Sequence, residues 1–387
     1  MSAQEFEVII IGAGPGGSTA AHTLARAGKR VLAIDRAEFP RVKICAGWIT
    51  PGAMRLLELS PDEYPHTIQA FSSGSVVLND HYYETDFHQT ASYGIIRQEF
   101  DNFLMERARS AGAQILTGER VKTIARNADD IQVTMADGRI FAAPIIIGAG
   151  GTHCPVAMQW GEKQKNEAII VAAESETRIG ADTLKQLTPY YGTTELFPEE
   201  DFHGYAWYVT KGDWLNIGIG RFKFATESFN QYREAFYEKL KSMGRLRGIE
   251  DKLVSFGGHS YKLYDEVPRR ISGDRFMLIG DAGGFASQWA GEGIKPAIQT
   301  GIYAAENVIQ ALTENDFGPT VMQRYERRCR QTYGQQKPDI FFKFRSLLPE
   351  SFKLAMARQI CKRDGLRKKL IFETAFGFEP VESGVKS

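Results

Sequence analysis

The residues with the clearest chemical potential lie near the start of the chain, where Gly12-x-Gly14-x-x-Gly17 follows the apolar run Val8-Ile9-Ile10-Ile11. A stretch of mostly small residues comes next, then a second apolar run, Val31-Leu32-Ala33-Ile34, which ends in Asp35, 23 positions after Gly12. Strand, glycine turn, helix, strand and acid in that order form an arrangement that receives a dinucleotide. Gly12 permits the tight turn, Gly14 lets the backbone approach a pyrophosphate at the helix N-terminus, and Gly17 lets the helix lie against the strand. Asp35 is then placed to accept hydrogen bonds from a ribose. The second reactive group is Cys45, in a loop that also carries Pro40, Arg41, Lys43 and Gly47. The two cations would favour a thiolate, whereas the competing reading of an unpaired cysteine is a small buried hydrophobe.

These groups need a scaffold, and the length of the chain bounds it. At 387 residues it exceeds the size at which one core keeps growing, so two or three structural regions are expected. With 47 basic and 47 acidic side chains there is no global electrostatic reason for a nucleic-acid partner, and none is expected. Cys45, Cys154, Cys329 and Cys361 form no CxxC or Cys/His cluster, so neither a disulfide framework nor a metal site is expected. No apolar run reaches the length of a membrane span, and the first strand begins close to Met1, leaving no room for a signal peptide. The expected location is the cytoplasm.

Along the chain, residues 67–87 turn to β, with a hairpin about Asn79-Asp80. Arg97 opens an amphipathic helix that puts Phe100, Phe103, Leu104 and Ala108 on one side. Residues 112–116 read as a short parallel strand, and Asp137-Gly138 as the turn of a hairpin between 131–135 and 139–141. From about 159 to 270 the glycine fingerprints stop and β alternation takes over, most clearly at 168–173. Within this region 205–220 forms a hairpin turning at Lys211-Gly212-Asp213. Its period of two places Tyr205, Trp207 and Val209 on one face, which is either an aromatic wall for an apolar ligand or an ordinary sheet core. Residues 275–280 are a buried strand that delivers Asp281 to a glycine turn, and Gly291-Glu292-Gly293-Ile294 opens a helix over 295–312. The tail reads helical, with ten cations between Lys337 and Lys369 interleaved with aromatic residues. Such a segment either rests on an anionic membrane surface or caps the body with a solvated helical face.

Together these motifs resemble the geranylgeranyl reductase family of flavoproteins, relatives of the flavin hydroxylases and halogenases. The likeness rests on Pro40-Arg41-x-Lys43-x-Cys45-x-Gly47, on Gly280-Asp281 and on Gly291-Glu292-Gly293-Ile294. It rests also on Tyr205-x-Trp207 with Lys211 and on Asn216-x-Gly218-x-Gly220; Val209-Thr210 stand where the family has Phe-Pro. The resemblance implies an α/β protein whose Rossmann-like FAD-binding domain is assembled from 1–66, 93–158 and 271–316. An antiparallel-sheet substrate domain (67–92 and 159–270) in the p-hydroxybenzoate hydroxylase-like arrangement and a helical C-terminal region (317–387) complete it. Cofactor contacts are implied at Gly12, Gly14, Pro15, Gly16, Gly17, Asp35, Arg36, Cys45, Ala46, Gly47, Arg97, Val121, Gly150, Asp281, Gly291, Gly293 and Ile294. Catalytic roles are implied for Cys45, Tyr205 and Trp207. Gly150 replaces the aspartate of the superfamily's Gly-Ala-Asp-Gly motif and Ala157 an arginine that usually follows, which speaks against tight NADPH binding there.

The activity so implied is FAD-dependent saturation of carbon–carbon double bonds of an isoprenoid or isoprenoid lipid, by hydride transfer from reduced flavin. The electron donor would be a reduced nicotinamide or a ferredoxin-like protein, and the substrate an apolar small molecule or lipid. Two alternatives stand beside it: a flavin monooxygenase or halogenase, and a non-catalytic FAD-bearing lipid-binding protein.

Overall fold

The computed structural model describes residues 3–161, 169–199, 203–222, 228–263, 269–287, 290–334 and 349–379. It divides into two compact units, each assembled from separate stretches of chain.

The first unit comprises residues 1–42, 98–168 and 261–338. Its centre is a six-stranded sheet in which Val8–Ile11 lies between Val31–Ile34 and Ile146–Gly148, all parallel. Gln114–Leu116 extends it on one side and Phe276–Leu278 on the other, both also parallel. Parallel strands buried on both faces read as continuous apolar runs, and all four residues of Val8–Ile11 and of Val31–Ile34 are buried. The helix Pro15–Arg26 packs its alanines and Leu24 on one face of this sheet together with Ala304, Ala305 and Val308 of the long helix Ile294–Glu314. A four-stranded sheet covers the other face through Ile124, Ile131, Val133, Met135 and Phe141. Its hairpin turns at Asp137-Gly138 as the sequence predicts. The helix Pro319–Tyr333 adds a support unread in the sequence: the buried Tyr325 hydroxyl donates to the Leu278 carbonyl at 2.6 Å.

The second unit comprises residues 43–97, 169–260 and 339–387. Its main sheet has seven strands, among them the long antiparallel set Ile169–Arg178, Trp214–Phe222 and Gly204–Lys211. Ser73–Leu78 and His81–Asp86 pair across Asn79 and Asp80, whose φ values of 49° and 60° are those of a type I′ hairpin turn. A small sheet formed by Trp48–Ile49, Ser92–Ile95 and Ile68–Phe71 lies in the same unit.

Alternation sorts the Gly204–Lys211 strand as the sequence predicts. Ala206 and Tyr208 enter one core layer with Leu215, Ile217 and Phe236, while Trp207 and Val209 enter another with Phe71, Val76, Phe372 and Phe378. That second layer draws on the C-terminal tail to an extent the sequence does not reveal. Phe372 fits so closely over Gly74 that a Cβ there would stand 2.2 Å from its ring. Phe376 stacks on Trp48 at 5.1 Å and meets Tyr205 edge-on at 5.3 Å. Of the tail's ten cations, Arg367 is no surface charge: it is buried and donates to Thr85, Asp364 and the carbonyls of Glu84 and Cys361. Lys337, Lys343 and Arg345 lie outside the described residues. Among the described residues, no helix is long and apolar enough to cross a membrane.

Candidate functional site

In the first unit, the glycine-rich turn is built closely against backbone at Gly12 and Gly17. Gly12 has φ +109°, and a Cβ there would fall 2.4 Å from the Ala149 carbonyl oxygen; one at Gly17 would fall 1.8 Å from that of Gly12. Gly14 differs. Its φ of −68° and ψ of −175° suit any residue, and a Cβ would meet only the Arg41 guanidinium, at 3.4 Å. Gly14 is also the N-cap of the Pro15–Arg26 helix, which has no side-chain cap, so its first amides face outward for an anion. Pro15 and Gly16 are buried in that first turn. Asp35 is held at the end of its strand by two backbone donors, Ala13 N–H at 2.8 Å and Ala37 N–H at 2.9 Å. Arg36 beside it is exposed.

Arg41 stands elsewhere than the sequence reading suggests. Its guanidinium is 3.1 Å from Asp101, a fully buried carboxylate on the Arg97–Ser110 helix, and it covers the Phe39 ring. It is thus a fixed cation beside Gly14, suited to a pyrophosphate rather than to the thiol. Asp101 is the missed signal: an acid one turn into an amphipathic helix on its buried side.

The second fingerprint lies in the same unit. The strand Phe276–Leu278 runs into a tight turn at Gly280–Ala282, pinned by a hydrogen bond from Gly280 N–H to Thr300 Oγ1 at 3.0 Å. Gly293, N-cap of the long helix that Ile294 begins, has Asp281 Oδ1 3.3 Å from where its Cβ would be. A Cβ on Gly291, at φ +68°, would stand 2.1 Å from the Tyr261 hydroxyl. The acid and the two glycines therefore form one cradle that side chains would fill. Val121 starts the strand Val121–Arg126 and is half-buried. Gly150 is exposed, and a Cβ would approach Cys154 Cα to 3.1 Å. Replacing the family's aspartate by glycine thus goes with close packing of the following turn. In its donors and its clearances the unit fits a dinucleotide: Asp35 for a ribose, the Gly14 turn with Arg41 for the pyrophosphate, and Asp281 for a second polyol.

In the second unit, the structure brings Cys45, Ala46, Gly47, Tyr205 and Trp207 together. Lys211, predicted to lie in a turn, instead ends the strand and is completely buried. Its ammonium donates to the Ala46 and Ile95 carbonyls, each at 3.0 Å, and to Glu176. The turn proper is Gly212-Asp213, and Lys211 is drawn inward by these acceptors. Asn216, also fully buried, accepts from Trp207 Nε1 at 2.7 Å. Its own amide donates toward the Cys45 carbonyl and Glu174, both at 3.3 Å, and toward Glu176 at 3.0 Å. Burial, with Glu176 adding to it, pushes the Glu174 carboxyl up to about 7, against the opposing pull of the Cys45 amide, Lys211 and Asn216. Burial and then Cys45 raise the Tyr205 hydroxyl above the usual phenol range. Lys43 is engaged by His259, and Arg97 is buried at the start of its helix.

Glu174 and the half-buried Glu176 escape a sequence reading, and the motifs that contain Lys211 and Asn216 do not show that these two are buried, because their partners come from far along the chain. The available signal was two acids spaced two apart in a predicted strand, which places both on one face. Trp207 is also more enclosed than an open wall requires: it is 6% exposed, and a Cβ at Gly218 would stand 2.1 Å from its ring. Among the described residues no cluster of His, Cys, Asp and Glu could hold a metal.

Residues 5–336 match the FAD binding domain family. A digeranylgeranylglycerophospholipid reductase of Methanocaldococcus jannaschii is 25% identical over 85% of this chain and 83% of its own. A probable electron transfer flavoprotein-quinone oxidoreductase of Escherichia coli is 28% identical over 90% of this chain and 86% of its own. A geranylgeranyl bacteriochlorophyll reductase-like protein of Thermoplasma acidophilum superposes with a TM-score of 0.80 at 20% identity, over 97% of both chains, and so shares the fold. With the family match spanning most of its length and the two nucleotide fingerprints intact, the chain belongs to the FAD binding domain family and is an FAD-dependent oxidoreductase.

Proposed function

We propose that the protein saturates carbon–carbon double bonds of an isoprenoid or isoprenoid lipid. The observation that carries this reading is the single network in the second unit that ties the Trp207 indole to the Cys45 backbone through Asn216, with Tyr205 packed 5.8 Å from Trp207. An apolar polyene suits the aromatic side of that network, and a thiol suits the proton that must reach the second carbon of a reduced double bond. Reduced FAD supplies the hydride equivalent. Within the chain, Gly14, Arg41 and Asp35 hold the adenosine half of the cofactor, Asp281 and the Gly291–Gly293 turn hold the flavin half, and Lys211 and Asn216 fix the loop that presents Cys45. Electrons come from a reduced nicotinamide or a ferredoxin-like protein. The likeness to an electron transfer flavoprotein-quinone oxidoreductase supports a second reading, in which the apolar substrate is a quinone and its ring is reduced.

A single turnover of Cys45→Ser tests the thiol's role. The flavin is reduced chemically under nitrogen and its return to the yellow form is followed after adding a geranylgeranyl lipid. With Cys45 delivering the proton, the variant binds FAD normally and reoxidises on the order of 100-fold more slowly, the lower end of what a positioned acid contributes. An unchanged rate assigns Cys45 to packing.

A further inference from the structure

The two roles open to the basic tail in the sequence fall on its two sides in the structure. Leu354, Ala357 and the buried Cys361 turn the Glu350–Lys362 helix inward on the core layer of Trp207, and Phe372 and Phe378 anchor the segment that follows. The outer side is not the polar face of a solvated cap. Phe352, Met356, Leu366 and Leu370 are 50%, 42%, 39% and 45% exposed, and they are four of the seven large apolar side chains that stand open among the described residues. Single exposed apolar side chains are ordinary, whereas four of them between positions 352 and 370 are a concentration that marks a contact surface.

The charges around these side chains define what they meet. Between Phe352 and Leu370 the one acid is Asp364, and it is answered by the buried Arg367 at 2.5 Å. Lys353, Arg358, Lys362, Arg363, Lys368 and Lys369 are left in a chain that is neutral as a whole. Lys369 reaches Glu373 at 3.1 Å, an exposed pair of the kind that water and salt weaken. On the helix, Phe352 and Met356 lie one turn apart on the side opposite Leu354, Ala357 and Cys361, and at 3.6 residues per turn Lys353 falls to one side of that line and Lys362 to the other. An apolar line bordered by cations matches a lipid leaflet, which is anionic at its phosphates and apolar just beneath: the apolar side chains enter the acyl boundary while the long cationic ones keep their heads among the phosphates.

We propose that the outer side of residues 352–370 is a docking surface for an anionic membrane, on which the protein rests without spanning it. The same stretch of chain carries Phe372 and Phe376 on to the aromatic layer of Trp48, Tyr205 and Trp207, so it joins the lipid-facing surface to the candidate site within one unit. The docking goes beyond the proposed reaction and does not depend on it.

The experiment is sedimentation of the flavin-loaded protein with vesicles of dimyristoyl phosphatidylcholine, with and without dimyristoyl phosphatidylglycerol. Their saturated chains leave nothing to reduce, so the result is separate from that of the reductase reading. The protein is expected to sediment with the phosphatidylglycerol vesicles, to bind about tenfold or more weakly without the anionic lipid, and to be partly released by salt. Arg358→Gln combined with Lys362→Gln should lower the affinity about tenfold, the share of two cations near an anionic surface. Phe352→Gln combined with Leu370→Gln should lower it about tenfold or more through lost apolar burial. All four positions are exposed, so both variants are expected to retain FAD and the parent's denaturation midpoint. Wild-type protein that stays in the supernatant with anionic vesicles overturns the proposal, as does binding that either pair of substitutions leaves unchanged. So does gel filtration in which Phe352→Gln with Leu370→Gln turns a dimer into a monomer, since the surface then belongs to a second copy of the chain.

Discussion

Replacing Gly14 with valine is expected to abolish retention of FAD while the polypeptide folds as before. Most glycine substitutions in this loop cannot separate the two effects, because Gly12 and Gly17 have backbone oxygens within 2.4 Å of the added carbon. Gly14 has only the Arg41 guanidinium at 3.4 Å, and its backbone conformation accepts a side chain. The valine methyls then occupy the space in front of the helix amides, where a pyrophosphate must come close. An affinity loss of at least about 100-fold is expected, close to 2.7 kcal/mol, enough for flavin to be lost on gel filtration. Stability is compared between apo forms, since bound FAD itself stabilises the folded state. Full occupancy in Gly14→Val would remove the pyrophosphate from this turn.

The second large effect is on stability. Lys211→Met deletes a completely buried ammonium that answers the Ala46 and Ile95 carbonyls and the Glu176 carboxylate. Methionine keeps the volume but leaves the two carbonyls without this donor and Glu176 with only the Asn216 amide, and breaking a buried ion pair from one side costs about 3–5 kcal/mol. Chemical denaturation of the variant is expected to reveal that loss as a lowered midpoint. Lys211→Met paired with Glu176→Gln should recover part of it, because the stranded charge is gone. A single variant within about 0.5 kcal/mol of the parent contradicts the placement of Lys211.

How far the sequence carried the reading follows from range. The nucleotide turn is local: strand, glycines, helix and acid fall within 23 positions, and the structure has each of them where spacing puts it. Alternation likewise sorted Tyr205, Trp207 and Val209 from Ala206 and Tyr208, because period two is a property of the strand alone. What stayed hidden was set by contacts between distant segments. Arg41 is claimed by Asp101, 60 positions on, instead of by the nearby thiol. Lys211 leaves its turn for carbonyls at Ala46 and Ile95, and the tail supplies Phe372, Phe376 and Phe378 to a core it does not resemble in sequence. Buried polar groups are the hardest class, since nothing in the type of Asn216 or Glu174 announces burial; only their partners do.

The measurement that bears most directly on the proposed reaction is the mass of the product. The protein is reduced chemically under nitrogen, given geranylgeranyl diphosphate or a geranylgeranylated lipid, and the extracted lipid is weighed by mass spectrometry. Saturation adds two hydrogens per double bond and consumes reduced flavin in equal number, with no requirement for oxygen. Product that forms only after oxygen is admitted and carries an added oxygen or halogen atom contradicts the account, as does a lipid recovered at its original mass while a quinone is reduced in its place.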